Sequence, residues 1–405
     1  QALPAFLETA TAVLTEPDSI FVGVAASMIP GAVSLIEEGL DDPALDLTML
    51  DPLELDRARV LAAESLDAFA ESLGELATHA TDNFAIGRDL FDLKLHTAHM
   101  IAENADELLR FGERLRASAT WELEQIAMEI DPHVPWRELV TRLRRDMPTP
   151  DSAIDEYREA MEASRHFTIS RELMPVPDAT LDVVPTPSFL RQLIPLAAYQ
   201  GPGAFDTVQR GLFLVTLPEN GESWSAHCRA ELPSTALHEG IPGHHLQMSI
   251  GNKLDSIPRR VLSTPAASEG WALYCETLMA EMGFLDSAAE RFFQAHHLLW
   301  RAVRVILDVS LHTKGMSMED AAKRLRDELG FEAHIAEAEA KRYCAYPTYQ
   351  LCYAVGRRDI LALRDDLRRV RAEEFTLASF HEELLQYGAL PTVLARWGMG
   401  LAALE

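Results

Sequence analysis

Eight prolines fall between residues 174 and 233, at positions 175, 177, 185, 187, 195, 202, 218 and 233. A proline inside a helix removes a hydrogen bond, and its ring collides with the preceding turn, so a stretch punctuated this often cannot be helical. On both sides the pattern is the opposite. Up to about residue 170, and again from Ser234 onward, apolar residues recur at the three- and four-residue spacing of one helix face. Residues 52–80 show it plainly: Asp51-Pro52 opens the run, and Ala58, Leu61, Ala62, Leu66, Phe69, Leu73 and Leu76 follow. The predicted helices before the prolines cover 3–41 (two, with a kink at Pro30), 52–80, 88–101, 104–130, 135–145 and 151–165. Those after it cover 234–251, 265–283, 286–313, 317–329, 333–345, 348–371, 374–388 and 390–403.

Within the proline-rich stretch, Thr180–Val184, Leu193–Ala198 and Gly211–Thr216 read as short strands bounded by Pro and Gly. The expected fold is mainly α with a small β-rich insert at about 174–218. Its expected parts are an N-terminal helical region, 1–170, and a catalytic region, 171–405, in one unit with a cleft. Gly211–Thr216 is the candidate exposed edge, where an extended peptide pairs by main-chain hydrogen bonds; the equal alternative is a structural hairpin that only packs on the helices.

The segment after the last of these prolines carries the chemistry. Ser234-Thr235-Ala236-Leu237-His238-Glu239-Gly240-Ile241-Pro242-Gly243-His244-His245-Leu246-Gln247 holds three of the chain's 14 histidines. In the zinc-hydrolase pattern H-E-x-x-H, two histidines one turn apart bind the metal and the glutamate is the base. Here the residue four after His238 is Pro242, which cannot ligate. On an ideal helix the sixth residue on lies roughly 240° around, and the seventh lies about 10 Å along the axis. Neither reaches a bond of about 2 Å, so the helix must bulge. Gly240, Pro242 and Gly243 permit it. If two residues loop out, His244 becomes the second ligand; a different distortion would present His245.

A catalytic zinc site needs a third protein ligand and leaves one position open. Glu269, in Ser268-Glu269-Gly270-Trp271-Ala272-Leu273-Tyr274, is a charged residue in an apolar run and needs a partner. Glu276, two turns on, is the candidate acceptor for a ligand histidine, or else part of a solvated face. Glu239 is the candidate base. From Arg342 to Arg358 the chain packs four tyrosines and three arginines without a carboxylate. Tyrosine hydroxyls and guanidinium groups suit polarising a carbonyl or clamping a carboxylate. Tyr343 and Tyr353, with His312, are the candidate stabilisers; Arg342 and Arg357 are the candidate substrate-binding cations.

Net charge is −27, which argues against nucleic acid or an anionic membrane surface as the main partner. Cys228, Cys275, Cys344 and Cys352 form no C-x-x-C and read as buried thiols. No run of about 18 apolar residues and no signal peptide stand out. The cytoplasm is the first expectation, with secretion or a lipid anchor left open. Gln1 opens the chain without a Met and inside a helical pattern, which predicts further sequence upstream.

The stretch from Glu231-Leu232-Pro233-Ser234 through His245-Leu246-Gln247, with Glu269-Gly270-Trp271-Ala272, resembles the bacterial domain-of-unknown-function 885 family. Gly201-Pro202-Gly203, Asp308…His312-Thr313-Lys314-Gly315 and Pro347…Gln350…Tyr353…Gly356 support the resemblance, which covers about 200–360 well. It implies a helical, zincin-like fold similar to the thermostable metallocarboxypeptidases. Thimet oligopeptidase and angiotensin-converting enzyme are more distant parallels. Set beside their G-H-A-L, Gly243-His244-His245-Leu246 places His244 on the second ligand. The resemblance thus implies His238, His244 and Glu269 as zinc ligands, His245 being the alternative to His244, and Glu239 as base. The expected activity is zinc-dependent hydrolysis of short peptides. The alternatives are hydrolysis of a non-peptide amide or ester, or a non-enzymatic helical binding protein with a relic site.

Overall fold

A computed structural model describes residues 2–37, 50–191, 194, 196–219 and 223–402. It divides into two compact units: Gln1–Ala85 with Thr186–Pro195, and Ile86–Pro185 with Leu196–Glu405. The first holds α1 (Leu3–Val13), α2 (Ser19–Glu37) and α3 (Pro52–Ala77). Asp51 caps α3, accepting from the backbone N–H groups of Leu53 and Glu54, with Pro52 in the first turn where it has no bond to lose. Leu7, Val22, Ile29, Leu66 and Leu73 form the core of this unit. Pro30 lies inside α2, and residues 38–41 of the predicted helix lie outside the described residues.

One helix bears on the expectation of no membrane span without overturning it. Among the described residues one helix, Ser19–Glu37, is long and apolar enough to cross a membrane, with 19 residues, a mean hydropathy of 2.0 and only 11% of its window buried. Gly23, Ser27, Pro30, Gly31 and Ser34 break up its apolar pattern in the sequence. Length and composition alone give it no more than that status.

The second unit holds α4 (Gly87–Ala98), α5 (Ala105–Ile130), α6 (Trp136–Leu143) and α7 (Ala153–Ser170), then β1 (Thr180–Pro185), β2 (Ala197–Gln200) and β3 (Arg210–Val215). After the strands come α8 (Leu232–Glu239), α9 (His244–Gly251), α10 (Ile257–Val261), α11 (Pro265–Glu281) and α12 (Ala288–Thr313). The chain closes with α13 (Met318–Leu329), α14 (Ala333–Ala345), α15 (Cys352–Arg371), α16 (Leu377–Leu385) and α17 (Thr392–Gly398). Mainly α with a small sheet is therefore the fold. α5 and α7, although they precede residue 170, belong to this unit: α5 runs along α12, and α7 packs on α8.

The sheet order is β1-β3-β2, with β1 parallel and β2 antiparallel to β3. The candidate edge Gly211–Thr216 is thus corrected: it forms the central strand and is paired on both sides. Its run of buried residues, Phe213, Leu214 and Val215, is the signature of a strand covered on both faces. The outer strands are β1 and β2. Leu193, at the start of one predicted strand, lies outside the described residues, and the strand itself runs Ala197–Gln200.

α12 is a 26-residue helix closed at its start by a Ser287–Glu290 capping box. It is buried nearly all round and carries His297, Arg301, Arg304, Asp308 and His312 into the interior. Beside it, α11 crosses α15 at Gly270 and Gly356. A Cβ on Gly356 would stand 1.8 Å from the Ala266 carbonyl oxygen. Gly356→Ala is expected to wedge the two helices apart and cost about 3 kcal/mol, read as a lowered urea midpoint. An unchanged midpoint would show that the crossing is not tight.

Candidate metal centre

The predicted helix 234–251 is two helices. α8 makes its last turn with Gly240 N–H donating to Ala236 O at 2.9 Å. The backbone then turns sharply, with ψ of −118° at Gly240 and −130° at Gly243, and the Ile241–Pro242 peptide is cis. Gly243 N–H reaches back to Leu237 O at 2.9 Å, and His245 N–H donates to Gly240 O at 3.1 Å as α9 begins. The carbonyls released by the break are satisfied elsewhere, as buried backbone must be. Trp271 Nε1 donates to Pro242 O (2.9 Å) and Gly243 O (3.2 Å), and Ser164 Oγ donates to Ile241 O. Residue 243 has to be glycine, because a Cβ there would stand 1.9 Å from His238 O.

The break brings His238 and His244 together across an interplanar angle of 88°, with ring centroids 4.9 Å apart. Glu269 Oε2, from α11, lies 3.8 Å from His238 Nε2 and 3.4 Å from His244 Nε2. One ligand atom from each of the three falls within 4.8 Å of the others. Donors about 2.0–2.1 Å from a tetrahedral zinc are about 3.4 Å apart; the two Glu–His separations are near that spacing, and the His–His pair would close from within 4.8 Å as the ion binds. The flanking bonds also fit. His238 Nδ1 donates to Glu276 Oε1 at 2.7 Å, which turns Nε2 to the cluster and leaves it the atom that would ligate a metal once deprotonated. Tyr349 OH donates to Glu269 Oε1 at 2.5 Å, which leaves Oε2 for the cluster. Glu239 follows His238 directly, and its Oε2 accepts from Tyr199 N–H on β2 at 2.9 Å.

The family described as "Bacterial protein of unknown function (DUF885)" matches residues 1–397. The chain belongs to this family. Two solved structures share the fold of this DUF885 chain. A candidate lipoprotein of unknown function from Shewanella oneidensis is 23% identical, with a TM-score of 0.78, over 98% of this chain and 76% of its own. A candidate lipoprotein from Colwellia psychrerythraea is 20% identical, with a TM-score of 0.82, over 97% of this chain and 71% of its own. No curated protein matches the chain. The neighbours lend nothing to the cytoplasm as a location.

The other sequence candidates sort clearly in the DUF885 chain. His245 turns to the sheet, with Nδ1 3.1 Å from Tyr199 OH and Nε2 3.3 Å from Ala179 O. Tyr353 lies at the cluster, its ring stacked on His238 at 6.5 Å. Tyr343 is engaged elsewhere: its hydroxyl donates to Glu339 (2.7 Å) and accepts from Trp300 Nε1 and Arg304 Nε. His312 lies 3.0 Å from Tyr343 O through Nε2 and stacks on Phe91. Arg342 pairs with Glu339 at 2.8 Å, and Arg357 Nε donates to Thr277 Oγ1 at 2.6 Å. None of these four has a described contact with His238, His244 or Glu269.

Two groups at the site escape the sequence reading. Tyr349 precedes α15 rather than lying in it, on a loop where Thr348 has φ +69° and Asp308 accepts from Thr348 N–H (3.0 Å) and Leu351 N–H (3.2 Å). Arg301 had a legible signal: His297, Arg301, Arg304, Asp308 and His312 form a polar row at three- and four-residue spacing inside an apolar helix.

Burial works against charge on His238, but hydrogen bonds to Glu269 and Glu276 and the Glu239 carboxylate outweigh it and push its pKa up to about 10. Burial likewise opposes ionisation of Glu276, yet His238 and Arg301 hold it down at about 2. Metal-free protein therefore keeps a proton on His238 at neutral pH. His238, raised from 6.5, contributes stability that is fully present below about pH 6.5 and is lost as the pH rises through about 10. Glu276, lowered from 4.5, contributes stability present above about pH 4.5 and lost as the pH falls through about 2. Denaturant midpoints of metal-free protein are expected to fall from pH 7 to 10, and a His238→Gln variant to lose that slope.

Proposed function

We propose that the chain is a zinc-dependent peptidase acting on short peptides, with a zincin-like fold akin to that of the metallocarboxypeptidases. The observation that carries this reading is the convergence of His238, His244 and Glu269 within 4.8 Å at a helix break that also presents Glu239. Zinc held by these three side chains would supply a water of lowered pKa and polarise the scissile carbonyl. The chain's own groups have distinct tasks. Glu276 fixes the tautomer and orientation of His238, and Tyr349 fixes which oxygen of Glu269 faces inward. Glu239 Oε1, with Oε2 held by Tyr199 N–H, is the group that accepts a proton and returns it to the leaving amine. The bond to Tyr199 N–H supports a substrate path beside β2, whose outer edge runs next to the base. The two lipoprotein-like neighbours favour the secreted or lipid-anchored location.

The test is elemental analysis after reconstitution, followed by a peptide panel set against acyl amides and esters. One zinc per chain and cleavage of free peptides are expected. His238→Ala and His244→Ala should each abolish stoichiometric zinc, whereas His245→Ala should retain it. Wild-type protein that takes up no zinc, or loaded protein that cleaves amides or esters but no peptide, overturns the reading.

A further inference from the structure

Arg301 is the least compensated buried charge beside the cluster. It projects from α12 with 9% of its surface exposed. Its Nε and Nη1 are buried without a hydrogen-bond partner. The carboxylate oxygen paired with it, Glu276 Oε1, is 3.9 Å from Nη2 and already bonds His238 Nδ1 at 2.7 Å. A buried guanidinium without good hydrogen bonds is costly unless an anion completes it.

Two more cations crowd the same place. Arg304 and Arg342 share one carboxylate, Glu339, at 3.0 and 2.8 Å. The Arg301 and Arg304 guanidinium carbons lie 5.7 and 4.9 Å from the centroid of the Tyr353 ring, which stacks on His238. Burial lowers the pKa of Arg301, against the pull of Glu276, and the charge of Arg304 adds to the lowering. Three guanidinium groups thus share two carboxylates, Glu276 and Glu339, and Arg301 has the longest of these pairings.

We propose that Arg301 recognises a carboxylate of the substrate, with the Tyr353 ring bordering the subsite. The proposal rests on the peptidase reading and adds a substrate class: peptides carrying a carboxylate near the scissile bond. Guanidinium forks match carboxylates in a bidentate geometry that lysine cannot reproduce. Arg342 and Arg357, the cations expected in this role, already have partners in Glu339 and Thr277.

Three tripeptides separate the sources of the carboxylate: one with a free C-terminus, its C-terminal amide, and an amide with an internal Glu. Their binding to metal-free protein is measured by calorimetry, so the readout does not require turnover. The wild type is expected to bind at least one carboxylate peptide ten times or more tighter than the plain amide. The free-acid arm assigns the C-terminus, and the internal-Glu arm assigns a side chain. Arg301→Gln should erase the difference, and Arg301→Lys should retain part of it. Equal binding of all three peptides by the wild type overturns the proposal and needs no variant to fold. Loss of zinc affinity in Arg301→Gln with the acid preference intact also overturns it, assigning Arg301 to the support of Glu276. A carboxylate preference without hydrolysis of any peptide by zinc-loaded protein sinks the peptidase reading instead.

Discussion

Glu239→Gln is expected to leave zinc content at one per chain and to lower kcat/KM for peptides by roughly 10²–10⁴-fold. The side chains are nearly isosteric, and a Gln oxygen can still accept from Tyr199 N–H, which the Glu239 carboxylate takes at 2.9 Å. Only the capacity to take up a proton is removed. The three proposed ligand residues are untouched, so metal content separates a lost base from a lost site. Retention of full activity with zinc bound would remove Glu239 from the chemistry and leave the metal site without an assigned proton acceptor.

Gly243→Ala should have the other large effect, on structure rather than on the proton. The added carbon would stand 1.9 Å from His238 O and 2.5 Å from Leu237 O, both backbone atoms that cannot step aside singly. The helix end would have to move, and His238 and His244 with it. We expect a loss of about 3 kcal/mol in stability and at least a hundredfold weaker zinc binding, read by chelator competition. Gly251→Ala, where nothing lies within 4 Å of the new carbon, is the control and should stay within about 0.5 kcal/mol of the wild type. Equal behaviour of the two variants would mean that the break tolerates a side chain.

The break itself was legible from Pro242 and its flanking glycines, since no straight helix accommodates that spacing. The helical regions were legible from periodicity, and the strands from their prolines. What escaped depends on partners distant in sequence. The edge of the sheet is decided by β1 pairing with β3 across 30 residues, which no local pattern announces. Tyr349 reaches Glu269 because Asp308 holds the preceding loop open before α15 starts, whereas local spacing simply extends the helix. Arg342 looked available because its neighbours in sequence are uncharged or basic, but Glu339 lies one turn back on α14. The apolar helix Ser19–Glu37 does not stand out in the sequence because small residues and a proline dilute its run.

The strand beside Glu239 is short. β2 spans four residues, Ala197–Gln200, or about 13 Å of extended chain. Alternate residues face opposite ways, so its outer edge has main-chain groups at about two positions, and at one of them Glu239 already takes the Tyr199 N–H. A peptide held there would be gripped over one or two units only, with little of its sequence read by side-chain pockets. Such an enzyme would be a generalist: it would take mixed short fragments as they arrive, and the length and end groups of a fragment would matter more than its residues.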